Sequence, residues 1–265
     1  TGEAALAVLI YMYLLYRHPL RGDKVHDTKD SQRDELLMMG EAALFIEHPT
    51  DSSNRIKIEY AKAAELPWKD TQKLPYTLTG AYLSPLFERA FIQGLHHPNL
   101  RPSADEWEHA LVKTVDLIQP CSNVACEQKW YVFSNSTKPV CPFCDTPFVG
   151  VLPVLNLYSS QQEGRFLPDN QRLMVYNNQS LYQWHSNRLV FPNERLTPEQ
   201  KKRVGYFVFH QQQWYLVNEA LPDLMDVGTK QNIAIGEKLA LVDGQKLLLA
   251  CGEGGRLVAV QMVSC

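Results

Sequence analysis

Apolar residues follow two regimes along this chain. Up to about residue 118 they recur at helical spacing, and from about Val151 onward they fall in short runs separated by turn residues. The first run, AALAVLIYMYLLY from Ala4 to Tyr16, is uncharged on every side and is followed by Arg17 and His18. A membrane span needs about twenty apolar residues. The run is therefore too short to cross, and it lacks the charged start and cleavage site of a signal peptide. It predicts a helix buried on all sides. Because the chain opens almost inside this helix, further residues are expected before it. SQRDELLMMG predicts a short helix ahead of a polar turn cluster at Thr50 to Asn54. Leu83, Leu86, Phe87, Ala90 and Phe91 mark another helix. Ser103 with Glu106 three residues later forms a capping box, opening a helix that presents Trp107, Ala110, Leu111 and Val115.

In the second regime, RLMVYNNQSLYQWH reads as a hairpin about Asn177-Asn178, and VGYFVFHQQQWYLVN as one about Gln211 to Gln213. KLALVDGQKLLLA carries Asp243-Gly244, the strongest short hairpin signal in the chain. GRLVAVQMV supplies a last strand. Short strands at this spacing predict a β-sandwich or barrel. The fold class expected is α+β multidomain: helical over 1–118, a cysteine ribbon over 119–150, and a β-sandwich over 151–265.

Composition changes this picture little. A hydrophobic share of 45% suits a globular core, and a net charge of −3 gives no general affinity for nucleic acid or a membrane. The six cysteines matter more. Cys121, Cys126, Cys141 and Cys144 lie in one segment, while Cys251 and Cys265 stand apart, a distribution that points to a reducing, cytoplasmic setting rather than a disulfide framework. Two close pairs joined by a loop suit one Zn²⁺ held by four thiolates. Redox chemistry at the CPFC pair is the alternative, and it leaves Cys121 and Cys126 without a role. Four cysteines leave no open coordination position, so the zinc is expected to be structural and the segment a structural joint. The strand Lys129 to Phe133 is expected to pack beside it. Glu127, Lys129 and Lys138 are the only charges between the outer cysteines, a poor balance for approaching phosphates. A zinc-ribbon nucleic-acid binder, with Trp130 and Tyr131 stacking on bases, is the alternative function.

ALAVLIYMYLLYRHPLRG resembles the central helix of a protein kinase C-lobe and its following loop, and LSPLFERAFIQGLHHPNLRPSADEWEHAL resembles the closing part of that lobe. In that resemblance Arg101 is the structural arginine that normally pairs with a glutamate ending the activation segment. With RHPLRGDKVHD, ALFIEHPTDSSNR, the ribbon and the β-domain, the chain resembles the bacterial Ser/Thr kinase of the TerY-phosphorylation triad, a system linked with tellurite resistance. The resemblance implies a von Willebrand A-domain protein and a PP2C-type phosphatase as partners. The glycine-rich loop, the VAIK-type lysine, the HRD loop and the DFG aspartate have no counterpart in this sequence. Phosphoryl transfer needs them, so the expectation is a non-catalytic part of a kinase.

The C-terminal region resembles a divergent forkhead-associated (FHA) sandwich, a phosphothreonine reader. Arg188 matches its loop arginine, whereas Lys202-Arg203-Val204-Gly205 replaces its serine and histidine. Lys201, Lys202 and Arg203 remain candidates for phosphate or partner contact, although a short basic run is more often a solvated face. Trp184, Trp214 and Tyr215 are either interface anchors or core. An enzyme of another class would draw on Asp23, His26 and Asp27 or on His96 and His97, where no nucleophile–base arrangement is visible.

Overall fold

The computed structural model describes residues 2–26, 30–133 and 138–265. Two compact units emerge: Thr1–Val115 with Pro142–Asp145, and Asp116–Cys141 with Thr146–Cys265. Among the described residues no helix is long and apolar enough to cross a membrane.

The first unit is built from α1 (Gly2–Leu15), the single turn α2 (Asp23–His26), α3 (Ser31–Met39), α4 (Ser84–Glu88) and α5 (Ala104–Val115), joined by 3₁₀ turns. Helix α4 runs on into a π-helical turn at Arg89–Gln93. Its core is aromatic. Tyr11 receives Phe45, Phe87 and Phe91 edge-on at 5.9, 5.3 and 5.6 Å, while Phe87 stacks on Phe91 at 6.0 Å and meets Trp107 at 5.0 Å. Burial of α1 is one-sided. Ala7, Tyr11 and Leu15 are enclosed, but Leu9, Met12, Tyr13 and Tyr16 are exposed, so the expectation of a helix buried all round is corrected. Uniform hydrophobicity specifies no face, and the packed side was therefore illegible in the pattern. Val115 is likewise exposed, and Thr114 takes the buried place on α5 by donating its hydroxyl to the Ala110 carbonyl at 2.7 Å.

Two polar clasps hold the loops of this unit. Arg17 and Glu47 form a buried ion pair at 2.9 Å. Arg17 also donates to the Trp68 carbonyl at 2.7 Å and to the Tyr11 hydroxyl at 3.0 Å. The Tyr11 hydroxyl donates in turn to Glu47, which accepts the Tyr76 amide as well at 2.9 Å. Burial first, and the Glu47 charge second, push the Tyr11 phenol well above its ordinary range. Asn54 belongs to the expected turn cluster yet is fully enclosed. It donates to the carbonyls of Leu20 and Leu44 and accepts the Gly22 amide at 3.2 Å. A Cβ on Gly22 would sit 1.7 Å from the Asn54 carbonyl oxygen, so this close approach requires glycine.

The second unit opens with a two-stranded ladder, β1 (Ile118–Pro120) and β2 (Trp130–Val132). Its sandwich follows: β3 (Val151–Gln162), β4 (Arg165–Met174), β5 (Ser180–Tyr182), the turn α6 (Gln183–Ser186), β6 (Arg203–His210), β7 (Gln213–Asn218), β8 (Met225–Asp226), β9 (Gln231–Asn232), β10 (Lys238–Ala240), β11 (Lys246–Leu248) and β12 (Arg256–Ser264). One sheet has the order β4-β3-β12-β11-β8-β9, the other β10-β7-β6-β5, and every pairing is antiparallel. Leu155, Leu173, Leu247 and Val258 of the first sheet share one core with Leu181, Phe207, Trp214 and Leu216 of the second.

Of the three hairpins expected, one forms. Strands β6 and β7 pair through His210 and Gln213, and Gln211 and Gln212 adopt φ of 50° and 64° between them, the left-handed pair that a two-residue hairpin turn requires. The other two readings are corrected. Strands β4 and β5, on either side of Asn177-Asn178, lie in different sheets, as do β10 and β11 on either side of Asp243-Gly244. Asn178 and Gly244 do turn the chain, at φ of 67° and 79°. In a sandwich, however, the returning strand can join the opposite layer, and a turn dipeptide carries no information about which.

Candidate metal centre

Each cysteine pair sits in a tight turn. The Cys121 amide donates to the Lys129 carbonyl at 2.7 Å and the Cys126 amide to Asn123 at 3.0 Å, with Lys129 at a left-handed φ of 63°. In the second pair the Cys141 amide donates to the Thr146 carbonyl at 3.0 Å, the Phe148 amide to Pro139 at 2.8 Å, and Asp145 turns at φ 61°. Val140 and Pro147 close that turn by a β-bridge.

These turns bring all four sulfurs within 4.8 Å of one another, with Cys126 and Cys141 buried and Cys121 and Cys144 half-buried. The Cys126 and Cys141 sulfurs are 3.9 Å apart, and none of the four is disulfide-bonded. A metal with bonds to sulfur of about 2.3 Å sets tetrahedral edges of about 3.8 Å. The observed spacing and the all-thiolate donor set therefore fit a metal ion held by four cysteines. Strand β2 lies beside the cluster, with Tyr131 and Phe133 buried and Trp130 45% exposed. Cys251 and Cys265 stay outside it. Burial first, then the carboxylate of Asp223, pushes the Cys251 thiol up, and burial alone raises that of Cys265.

The basic candidates of the sandwich are differently engaged. Arg203 makes a fork with Glu219, both bonds 2.8 Å, and lies over the Tyr206 ring at 4.4 Å. Lys202 pairs with Glu199 at 2.8 Å, and among the described residues the Lys201 ammonium reaches only the Glu194 carbonyl, at 3.5 Å. Arg188 is exposed, its amide donating to the Gly254 carbonyl at 2.9 Å, and its guanidinium forms no hydrogen bond or ion pair among the described residues. Arg101 donates to the carbonyls of Gly94 and Leu95, both at 2.8 Å, tying the loop before α5. Asp23 pairs with Lys57 at 3.6 Å and His96 contacts the Ala43 carbonyl at 3.0 Å. Asp27 lies outside the described residues.

One constellation escaped the sequence. Asp116, His185, Gln171 and Arg256 are all buried. The Tyr182 amide donates to His185 Nδ1 at 2.9 Å, so Nε2 carries the proton and donates to Asp116 Oδ1 at 2.9 Å. Gln171 donates to Asp116 Oδ2 at 2.6 Å. Arg256 donates to Asp169 at 3.0 Å and to the Trp184 carbonyl at 3.0 Å, and Ser159 donates to Asp169 at 2.6 Å. An Asp–His pair invites a catalytic reading, but both ring nitrogens are already occupied, which makes it a clasp between the entry segment and the sandwich. Asp116→Asn is expected to lower stability by about 1–3 kcal/mol, because one of its two buried donors loses its acceptor. Urea denaturation checks this, and an unchanged midpoint would refute the clasp. The residues are far apart in sequence, and nothing in their local pattern joins them.

Neither a family model nor a curated protein matches the chain. A solved structure described as "Rv0020c_FHA Structure" is similar to it at 14% identity and a TM-score of 0.25, over 43% of this chain and 96% of that one.

Proposed function

We propose that this chain is the non-catalytic interaction region of a bacterial Ser/Thr protein kinase of the TerY-phosphorylation triad. In this reading it holds one structural zinc at Cys121, Cys126, Cys141 and Cys144, and its FHA-like sandwich docks a von Willebrand A-domain protein, a PP2C-type phosphatase or both. The kinase part of the reading rests on the resemblance of the helical segments.

The observation that carries docking is an aromatic cluster on the second unit. Trp130 meets Tyr176 edge-on at 5.2 Å, and Tyr182 stacks on Trp184 at 4.3 Å. Tyr182 is close enough that, after burial, it is the next cause raising the Tyr176 phenol. Trp130 is exposed and the other three rings are half-buried. Partly exposed tryptophan and tyrosine are the side chains on which interface energy concentrates. Of the three anchors considered from sequence, Trp184 belongs to this cluster. Trp214 is core, its indole donating to the Val151 carbonyl at 2.9 Å, and Tyr215 carries Lys238 over its ring at 4.5 Å. The carboxylate partners of Lys202 and Arg203 favour protein docking over phosphate capture by that run.

The test is capture of the purified partner proteins by the zinc-loaded chain. Trp130→Ala with Trp184→Ala is expected to weaken capture at least tenfold while zinc content and thermal unfolding stay unchanged. No capture by the folded wild-type chain would overturn the proposal, and salt-sensitive binding to DNA or RNA in its place would favour the nucleic-acid reading.

A further inference from the structure

On the outer face of the six-stranded sheet lies an open cleft of 470 Å³, between the β3–β4 hairpin tip and the loop joining β11 to β12. Leu247 and Leu249 point into the core, so Leu248 between them faces outward, and Phe166 faces the same cleft. The solvent side of an antiparallel sheet is usually polar, so two large apolar side chains form an unusual floor here. Among the described residues, Glu163 on the hairpin tip and Glu253 on the opposite loop are the only charged side chains lining the cleft. Both are exposed, and neither side chain has an ion-pair partner among the described residues. The neighbouring cations do not line it: Arg165 alternates away from Phe166 on β4, and Lys246 borders a separate depression with Asp226.

We infer that this cleft receives an arginine side chain from a partner polypeptide. An aromatic ring with a leucine beside it accommodates the aliphatic stem and the flat face of a guanidinium, and two carboxylates on facing rims supply its fork of acceptors. Lysine fits less well, because an ammonium is a strongly hydrated point charge with no plane to lay on the ring. The inference deepens the docking proposal and rests on it only in treating the sandwich as a protein-binding module.

The probes are two acetylated and amidated pentapeptides, glycine-serine-arginine-serine-glycine and the same sequence with citrulline, which keeps the shape and loses the charge. They are titrated into the ¹⁵N-labelled whole chain. The arginine peptide is expected to shift the amides of Gly164, Phe166, Leu248 and Gly252, and to bind at least tenfold more tightly than the citrulline peptide. The E163Q/E253Q variant should lose at least tenfold in affinity at an unchanged melting temperature. Equal binding of both peptides, shifts elsewhere, no binding, or full affinity in the variant would overturn the inference. Failure of the peptide with partner capture intact removes the cleft alone. Peptide binding without partner capture removes the docking proposal alone.

Discussion

Stripping the metal with a strong chelator is expected to unfold the two cysteine turns while the sandwich remains folded. Structural zinc contributes about 10–16 kcal/mol of apparent binding energy in small zinc-finger peptides. Among the described residues the turns are otherwise held by a short two-stranded ladder, a β-bridge and scattered turn hydrogen bonds, with no extended sheet or helix of their own. The sandwich has its own core of buried residues drawn from both sheets. Hydrogen exchange at the amides of Cys121, Cys126 and Cys141 reads the difference. Protection should vanish on chelation and return when Zn²⁺ is added back, with the amides of β3 and β12 unaffected. Protection that survives chelation would mean that the turns stand without a metal. Acid should act as the chelator does, because protonated thiols release the ion.

The second large effect is expected at Arg17. Its side chain is 1% exposed and that of Glu47 6%, so Arg17→Ala leaves a buried carboxylate without its counter-charge. Breaking a buried pair in this way costs about 3–5 kcal/mol. The Trp68 carbonyl and the Tyr11 hydroxyl also lose a donor. Replacing both partners, as in Arg17→Met with Glu47→Gln, should recover most of the loss, since no uncompensated charge remains. Urea denaturation of the three proteins decides it. A single variant as stable as wild type, or a double variant worse than the single, would contradict this account of the clasp.

How much of this was legible in the sequence depends on the range of the signal. The capping box of α5 is local: the Ser103 amide donates to Glu106 at 2.8 Å and the Glu106 amide to the Ser103 hydroxyl at 3.3 Å. The cysteine spacing is also local within each pair, and the four sulfurs converge. The apolar runs that predict β7 and β12 are local too, and burial alternates along β7 and along the first half of β12. What failed was non-local. Asp243-Gly244 predicts a reversal, but sheet membership is decided by which layer has an edge to pair, and β10 joins β7 whereas β11 joins β8 and β12. Asn54 and Asp116 look like ordinary polar residues until the fold encloses them. The basic run from Lys201 to Arg203 looked free because Glu219 lies sixteen residues beyond Arg203, and only the β6–β7 ladder brings the two together.

In the proposed reading the four thiolates close a cage around one zinc, hold structure and leave no coordination position for chemistry. Zinc analysis combined with X-ray absorption at the zinc edge tests it most directly. One zinc per chain is expected, with four sulfur neighbours at about 2.3 Å. A shell that includes an oxygen or nitrogen neighbour, or protein purified intact without metal, would contradict it.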